Sequence, residues 1–280
     1  MPRFEPFRAL RYASDSLASL VAPPYDVLSD ADVDGLESQS PVNIVHVDVP
    51  RGGADRYQRA AEALADWRAR GVLVQDESAS FTLYRMRFTD DLGAIRDIVG
   101  VVGGLEVVDE GAGGVLPHER TTPKASTDRL ELTRATRANL SPVWGLSLAT
   151  GLSEALAEPG ELVGKVVDAG VEHRVERVAD PARVAIIQQV LAGDDVLIAD
   201  GHHRYGVSRI YRDEVRDRTG RTDTPAEQTL AFVNELVAEQ LSVAAIHRLY
   251  ADISLDELRA TFSAFFELTE TERPTRQTLA

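Results

Sequence analysis

The residues with the clearest chemical use lie in DVLIADGHHRYGVSRIY, from Asp195 to Tyr211. An apolar run ends in Asp200-Gly201, and a helical pattern begins at once with His202-His203-Arg204. The first turn of a helix has unpaired backbone N–H groups and a positive dipole end, which together attract an anion. Gly201 permits a tight turn and a close approach of ligand to backbone. His202 and His203 add donors, and Arg204 adds a planar fork that matches phosphate oxygens. Asp200, at the strand end, has the chemistry to hold a metal ion or to orient a neighbouring histidine. The segment reads as a phosphate cradle. The plainer alternative is an exposed polar helix start capped by Asp200. A zinc site would need further ligands from His118, Glu119 or Asp26, because adjacent histidines on a helix point apart.

A second constellation is Pro117-His118-Glu119-Arg120-Thr121, with Lys124, Asp128 and Arg129 downstream. A carboxylate beside an imidazole suits a general base or a metal ligand, and a solvated charged loop is the alternative. A third is Ala22-Pro23-Pro24-Tyr25-Asp26-Val27, where two prolines fix the direction in which Tyr25 and Asp26 are presented. There the alternative is a rigid turn in which Asp26 caps a helix over Ser29–Leu36. His247-Arg248 could face the same cleft or sit on the surface at a strand end. His46 and His173 are assigned no role.

The elements that must position these groups follow from periodicity. Val42–Val49 alternates and predicts a strand, and Asp55–Ala69 predicts a helix stopped by Gly71. Phe81–Phe88 and Ile95–Val108 predict a hairpin across Asp90-Asp91-Leu92-Gly93. Ser126–Ala138 reads as a charged helix with Ser126 or Thr127 as cap. Val143–Ala149 and Glu172–Val178 read as strands, and Arg183–Leu191 as a helix. Asp195–Ala199 is a buried strand feeding a helix to about Asp217. Gln228–Leu236 and Leu241–Tyr250 form another strand pair, and Leu255–Phe266 a helix. Strands and helices are interspersed and many strands pair locally, so the fold class is α+β (mixed α/β). A division into 1–110 and 111–280, the latter carrying the PHERT loop and DGHHRY, or one continuous domain, suits this length.

Composition narrows the function. With 45 acidic and 30 basic residues among 280 the net charge is −15, which disfavours general nucleic-acid binding. There is no cysteine, so disulfides, thiolate metal sites and cysteine nucleophiles are excluded. No run approaches the ~18 apolar residues of a membrane span, and the N-terminus does not read as an export signal. The cytoplasm is the expected location. The final segment, ETERPTRQTLA, has no closing element, so the chain is expected to continue beyond Ala280 in its native form.

In this order, APPYDV, PVNIVHV, LPHERT with DRLELTRA, NLSPVW, IADGHHRY and FVNEL…HRLY resemble a conserved prokaryotic family, domain of unknown function 1015. The likeness spans nearly the whole chain. Within it, Asp-Gly-His-His-Arg-Tyr is similar to the phosphate-binding segment of the ParB/sulfiredoxin superfamily. Sulfiredoxin carries a Gly-Cys-His-Arg version for ATP, ParB a Gly-Glu-Arg-Arg version for CTP, and free serine kinases a Gly-His-His-Arg version. The resemblance implies a ParB/sulfiredoxin-like nucleotide-binding core with additional strand pairs and helices. It makes Gly201, His202, His203 and Arg204 the phosphate contacts. His202 stands where sulfiredoxin has cysteine, which argues against sulfinic-acid reduction. The basic helix-turn-helix region of ParB has no counterpart.

The expected function is therefore a nucleotide-dependent phosphotransferase acting on a small hydroxyl metabolite, with free serine as first guess. ATP or another nucleotide and Mg²⁺ would be its cofactors. Asp200 would place the metal, and Glu119, beside His118, or else Asp26, would accept the hydroxyl proton. The alternative is a nucleotide-sensing regulatory module that binds ATP or CTP without catalysis. A metal-dependent hydrolase or nuclease would need His118, Glu119, Asp200 and His202 to converge. The expected partners are a nucleotide and a small molecule, without general nucleic-acid or membrane binding.

Overall fold

The computed structural model describes residues 1–14, 16–90, 93–119, 123–241 and 251–269, with backbone alone for 123–127. The chain forms two compact units, Met1–Ser242 and Val243–Ala280.

The first unit opens with β1 (Phe4–Glu5), β2 (Leu10–Tyr12) and a 3₁₀ turn at Tyr25–Val27. Helices α1 (Asp30–Gln39), α2 (Val45–Asp48) and α3 (Arg56–Ala69) follow, then β3 (Leu73–Gln75), β4 (Phe81–Thr89) and β5 (Ile95–Glu106). Next come β6 (Val115–Leu116), α4 (Pro123–Thr136), β7 (Val143–Ser147), α5 (Leu152–Ala155), β8 (Glu161–Asp168) and β9 (Val171–Val178). The unit closes with α6 (Pro181–Leu191), β10 (Val196–Asp200), α7 (His202–Thr219) and β11 (Gln228–Glu235).

Among the described residues, nine strands form one sheet in the order β6-β10-β7-β11-β5-β4-β9-β8, with β1 paired to β5 beside Leu105. The pairs β6–β10 and β7–β11 are parallel and the rest antiparallel, so the fold is α+β with a mixed sheet. The sheet draws strands from both sides of residue 110. Its buried positions, Leu83, Val101, Val143, Ile198 and Val233 among them, pack with Ile187 and Leu191 of α6. Each such side chain stabilises the fold by ~1.5–3 kcal/mol. A second cluster joins Val47, Ala60, Leu64, Trp67, Leu73 and Leu132, and so ties α2, α3, β3 and α4 together.

Several expectations are corrected. Val42–Val49 is not a strand; its centre is the single helical turn α2. Asn43 is fully buried, donates to the carbonyls of Ser19 and Val21, and accepts from the Val45 N–H, which bends the chain into the turn. Valine alternation survives because Val45 and Val47 are both buried, but Asp48 goes inward with them. Local side-chain bonding outweighed β propensity here. Helix α4 begins at Pro123, so Ser126 and Thr127 lie inside it and are not its caps. Helix α1 is capped by Ser29, whose hydroxyl accepts from the Asp32 N–H while Asp32 answers the Ser29 N–H; Asp26 is not the cap. Strand β8 was not foreseen because only Gly164 of its eight residues is buried.

The strand expected over Leu241–Tyr250, and His247-Arg248 within it, fall almost wholly outside the described residues. In the second unit α8 (Leu255–Ser263) starts from a Ser254–Glu257 capping box, three residues shorter than expected. Among the described residues no helix is long and apolar enough to cross a membrane.

Candidate functional site

The site grows from the junction of β10 and α7. The β10–β7 register shifts between Ile198 and Asp200, so the strand is irregular at Ala199 and Asp200 pairs with Trp144 just before the turn. Gly201 takes the left-handed conformation, φ +88°, and α7 starts from it with neither a side-chain cap nor an acidic residue in its first turn. The positive end of the helix dipole falls at this turn. Tyr205, one turn in, anchors the helix to the end of β5. Its hydroxyl donates to the Glu106 carbonyl and accepts from the Val108 N–H at 2.8 Å. Burial raises the Tyr205 hydroxyl to about 12.

His202 and Arg204 leave this turn in different directions. His202 is buried. Its Nε2 accepts from the His118 backbone N–H at 3.3 Å, and its ring meets the His118 ring edge-on, centroids 4.5 Å apart. The remaining nitrogen, Nδ1, lies 3.6 Å from Glu119 Oε2. With Nε2 accepting, neutral His202 carries its proton on Nδ1, facing the carboxylate. Burial, helped by His118, lowers the His202 pKa against the opposing pull of Glu119 and Asp200. The loop that carries His118 and Glu119 and the turn that carries His202 are thus brought together. His203 is half-buried in the same first turn.

Arg204 turns the other way. Its guanidinium donates to Asp200 Oδ2 and to the Pro142 carbonyl, and it lies 5.9 Å from the centre of the Tyr25 ring. The Arg129 guanidinium lies over the same ring at 4.1 Å. Arg129 in turn bonds Asp48 and Asp128, each at 3.0 Å, and Ser141 donates to the second oxygen of Asp48. Tyr57 closes the seam by donating to Asp128 at 2.7 Å. Burial raises the Asp48 pKa, and Arg129 and Ser141 oppose it. Tyr25, Asp48, Arg129, Ser141, Arg204 and Ser208 line a cavity of about 40 Å³, room for about three waters.

A family model described as a protein of unknown function, DUF1015, matches residues 4–279. The chain belongs to the DUF1015 family. No curated protein and no solved structure matches it. In this DUF1015 chain, five separated sequence segments meet at one place, through Tyr25, Asp48, Arg129, Ser141 and Arg204.

Other expected groups are placed as follows. Asp26 is exposed on the Tyr25 turn and makes no hydrogen bond or ion pair with the β10–α7 turn among the described residues. Arg120 and the side chain of Lys124 fall outside the described residues. His118, Glu119, Asp200 and His202 form no metal-holding group; none of three or more His, Asp or Glu exists among the described residues. Sequence reasoning missed Asp48 and Ser141. Their signal was an acid closing a valine run and a serine before a proline, which the strand reading of Val42–Val49 concealed.

Proposed function

We propose that this protein is a nucleotide-dependent phosphotransferase acting on a small hydroxyl metabolite, with free serine as the first acceptor to test. The observation that carries the proposal is the approach of Glu119 to within 3.6 Å of His202 in the first turn of α7. A phosphoryl transfer needs anchored phosphates and a base near the acceptor hydroxyl, and the two requirements meet there. Gly201, His203 and Arg204 hold the phosphates with the first-turn N–H groups, in the manner of the ParB/sulfiredoxin-like segment that Gly201–Tyr205 resembles. His202 orients Glu119, which takes the hydroxyl proton; Asp26 is the second choice of base. Mg²⁺ keeps most of its own waters and asks for one or two carboxylates beside the phosphates, a demand that Asp200 meets once Arg204 turns to phosphate.

The sensor reading keeps one observation of its own. Arg204 is held by Asp200 and the Pro142 carbonyl, a latch that an arriving phosphate would release. A binding module that reports nucleotide needs that latch and no base. Thermal shift with ATP, ADP, CTP and GTP, each with Mg²⁺, tests the shared claim, since ligand at ~100 times Kd stabilises by ~2.7 kcal/mol. Release of ADP with serine present separates the kinase from the sensor, and no shift with any nucleotide ends both.

A further inference from the structure

A wide groove in the first unit lies next along the chain to the arginine seam, with Pro24 lining the groove and Tyr25 the seam. It measures about 860 Å³, within the ~300–1,000 Å³ of small-molecule sites. One side is the segment from Leu17 to Gln39, which contributes Leu17, Val21, Val27 and Leu36. The opposite side is the face of β4, β8 and β9, with Tyr84, Val166, His173 and Val175.

Three charged side chains line the groove, and Asp168, exposed at the end of β8, is one of them. Lys165 pairs with Glu172 at 2.7 Å, and Asp32 is engaged by the Ser29 cap of α1. The floor carries one neutral polar pair: Tyr84 Oη and His173 Nδ1 lie 2.6 Å apart, with their rings stacked 5.8 Å between centroids. Burial lowers the His173 pKa, which keeps the ring neutral. The mostly apolar lining around this uncharged pair, with Lys165 and Asp32 engaged by neighbours, fits an uncharged, flat occupant with a few hydrogen-bonding atoms at its edge. Pro23 and Pro24 line this groove, and the next residue, Tyr25, lies against Arg129 and Arg204. An occupant's anionic end would therefore meet the arginines on the far side of one proline turn.

We infer that this groove seats the ring end of a nucleotide, a nucleobase with its ribose, whose phosphates reach the α7 cradle past Tyr25. The inference rests on the nucleotide reading of that cradle. Ala31 and Gly35 line the groove from the exposed side of α1, and a Cβ on Gly35 would meet nothing within 4 Å. Ala31→Trp and Gly35→Leu thus fill the groove without crowding the core, and the second also favours the helix.

Titration calorimetry on the full chain would use adenosine, guanosine, cytidine and uridine as ring probes and tripolyphosphate as phosphate probe. The wild type is expected to bind at least one nucleoside. Both variants should weaken that nucleoside at least tenfold while holding tripolyphosphate within twofold, and Arg204→Ala should do the reverse. Circular dichroism identifies a misfolded variant, and the other then carries the test. No nucleoside bound by the wild type, or unchanged nucleoside affinity in a folded groove variant, would overturn the assignment. Nucleoside binding that the variants weaken, without any tripolyphosphate binding, would uphold the groove and remove the cradle.

Discussion

Arg204 folds its guanidinium back over Gly201, so that a Cβ placed on Gly201 would lie 3.1 Å from both Cζ and Nε of the arginine. The same glycine holds φ at +88°. An alanine there meets both a left-handed backbone, costing ~1–2 kcal/mol, and a displaced guanidinium. Gly201→Ala is expected to lower unfolding stability by about that amount and to weaken nucleotide binding. Urea unfolding reads the first effect; an unchanged midpoint would show that the turn relaxes freely.

Arg204→Ala is expected to weaken ATP by about 1.5–3 kcal/mol, the range for hydrogen bonds to charged groups. Asp200→Asn keeps the shape of the latch and removes its charge. Without Mg²⁺ the freed guanidinium should bind ATP more tightly than in the wild type. With Mg²⁺ the lost carboxylate should reverse the order. Calorimetry under the two conditions checks the crossing, and parallel changes would take the metal role from Asp200.

Glu119→Gln preserves shape and removes basicity. Phosphoryl transfer should fall by ~10²–10⁴-fold, the contribution of a positioned base, with nucleotide affinity nearly intact. Wild-type turnover by this variant would move the role to Asp26.

The lowered pKa of His202 sets a pH dependence. In the unfolded chain the ring titrates near ~6.5, whereas the buried ring resists its proton, so the unfolded state binds more protons below that pH. Stability should be fully present above about pH 6.5 and fall as the solution is acidified towards the folded pKa. His202→Asn should flatten that decline in urea midpoints measured from pH 8 to pH 5. An equally steep decline in the variant would assign it to His173, whose pKa burial also lowers.

Asn43→Ala removes both donors and the acceptor that shape the turn before α2. It leaves two part-buried carbonyls and one buried N–H unpaired, and should cost about 1–3 kcal/mol. Because Asp48 rides on that turn, Arg129 and Ser141 should lose their partner with it, which hydrogen exchange across α2 would report.

The sequence was most legible where periodicity and chemistry agreed. The apolar run Asp195–Ala199 before Asp200-Gly201, found as β10 one residue further on, and the alternating β4–β5 hairpin follow from local pattern and turn residues alone. The His118–His202 contact was not written in spacing, since 84 residues separate the pair and β6 must lie beside β10 to join them. Asp48 was hidden by a valine run that buries alternate residues while coiling once, a pattern that period two describes equally well. The seam from Tyr57 to Arg204 depends on which helix lies beside which, and no local pattern encodes that.

The order of strands in the sheet also governs how the first unit can assemble. β11, near the end of that unit, sits between β7 and β5 and meets β5 over six registered pairs from Gln228 to Val233. Until β11 has been made, β5 and β7 each present a long edge of unpaired N–H and C=O groups, the surface on which other chains most readily add. Closing such distant pairs is slow, so the nascent chain remains adhesive throughout synthesis of α4 to α7. A chain ended before Gln228 would keep the DGHHRY turn in its sequence yet leave those two edges open, and it would aggregate rather than bind.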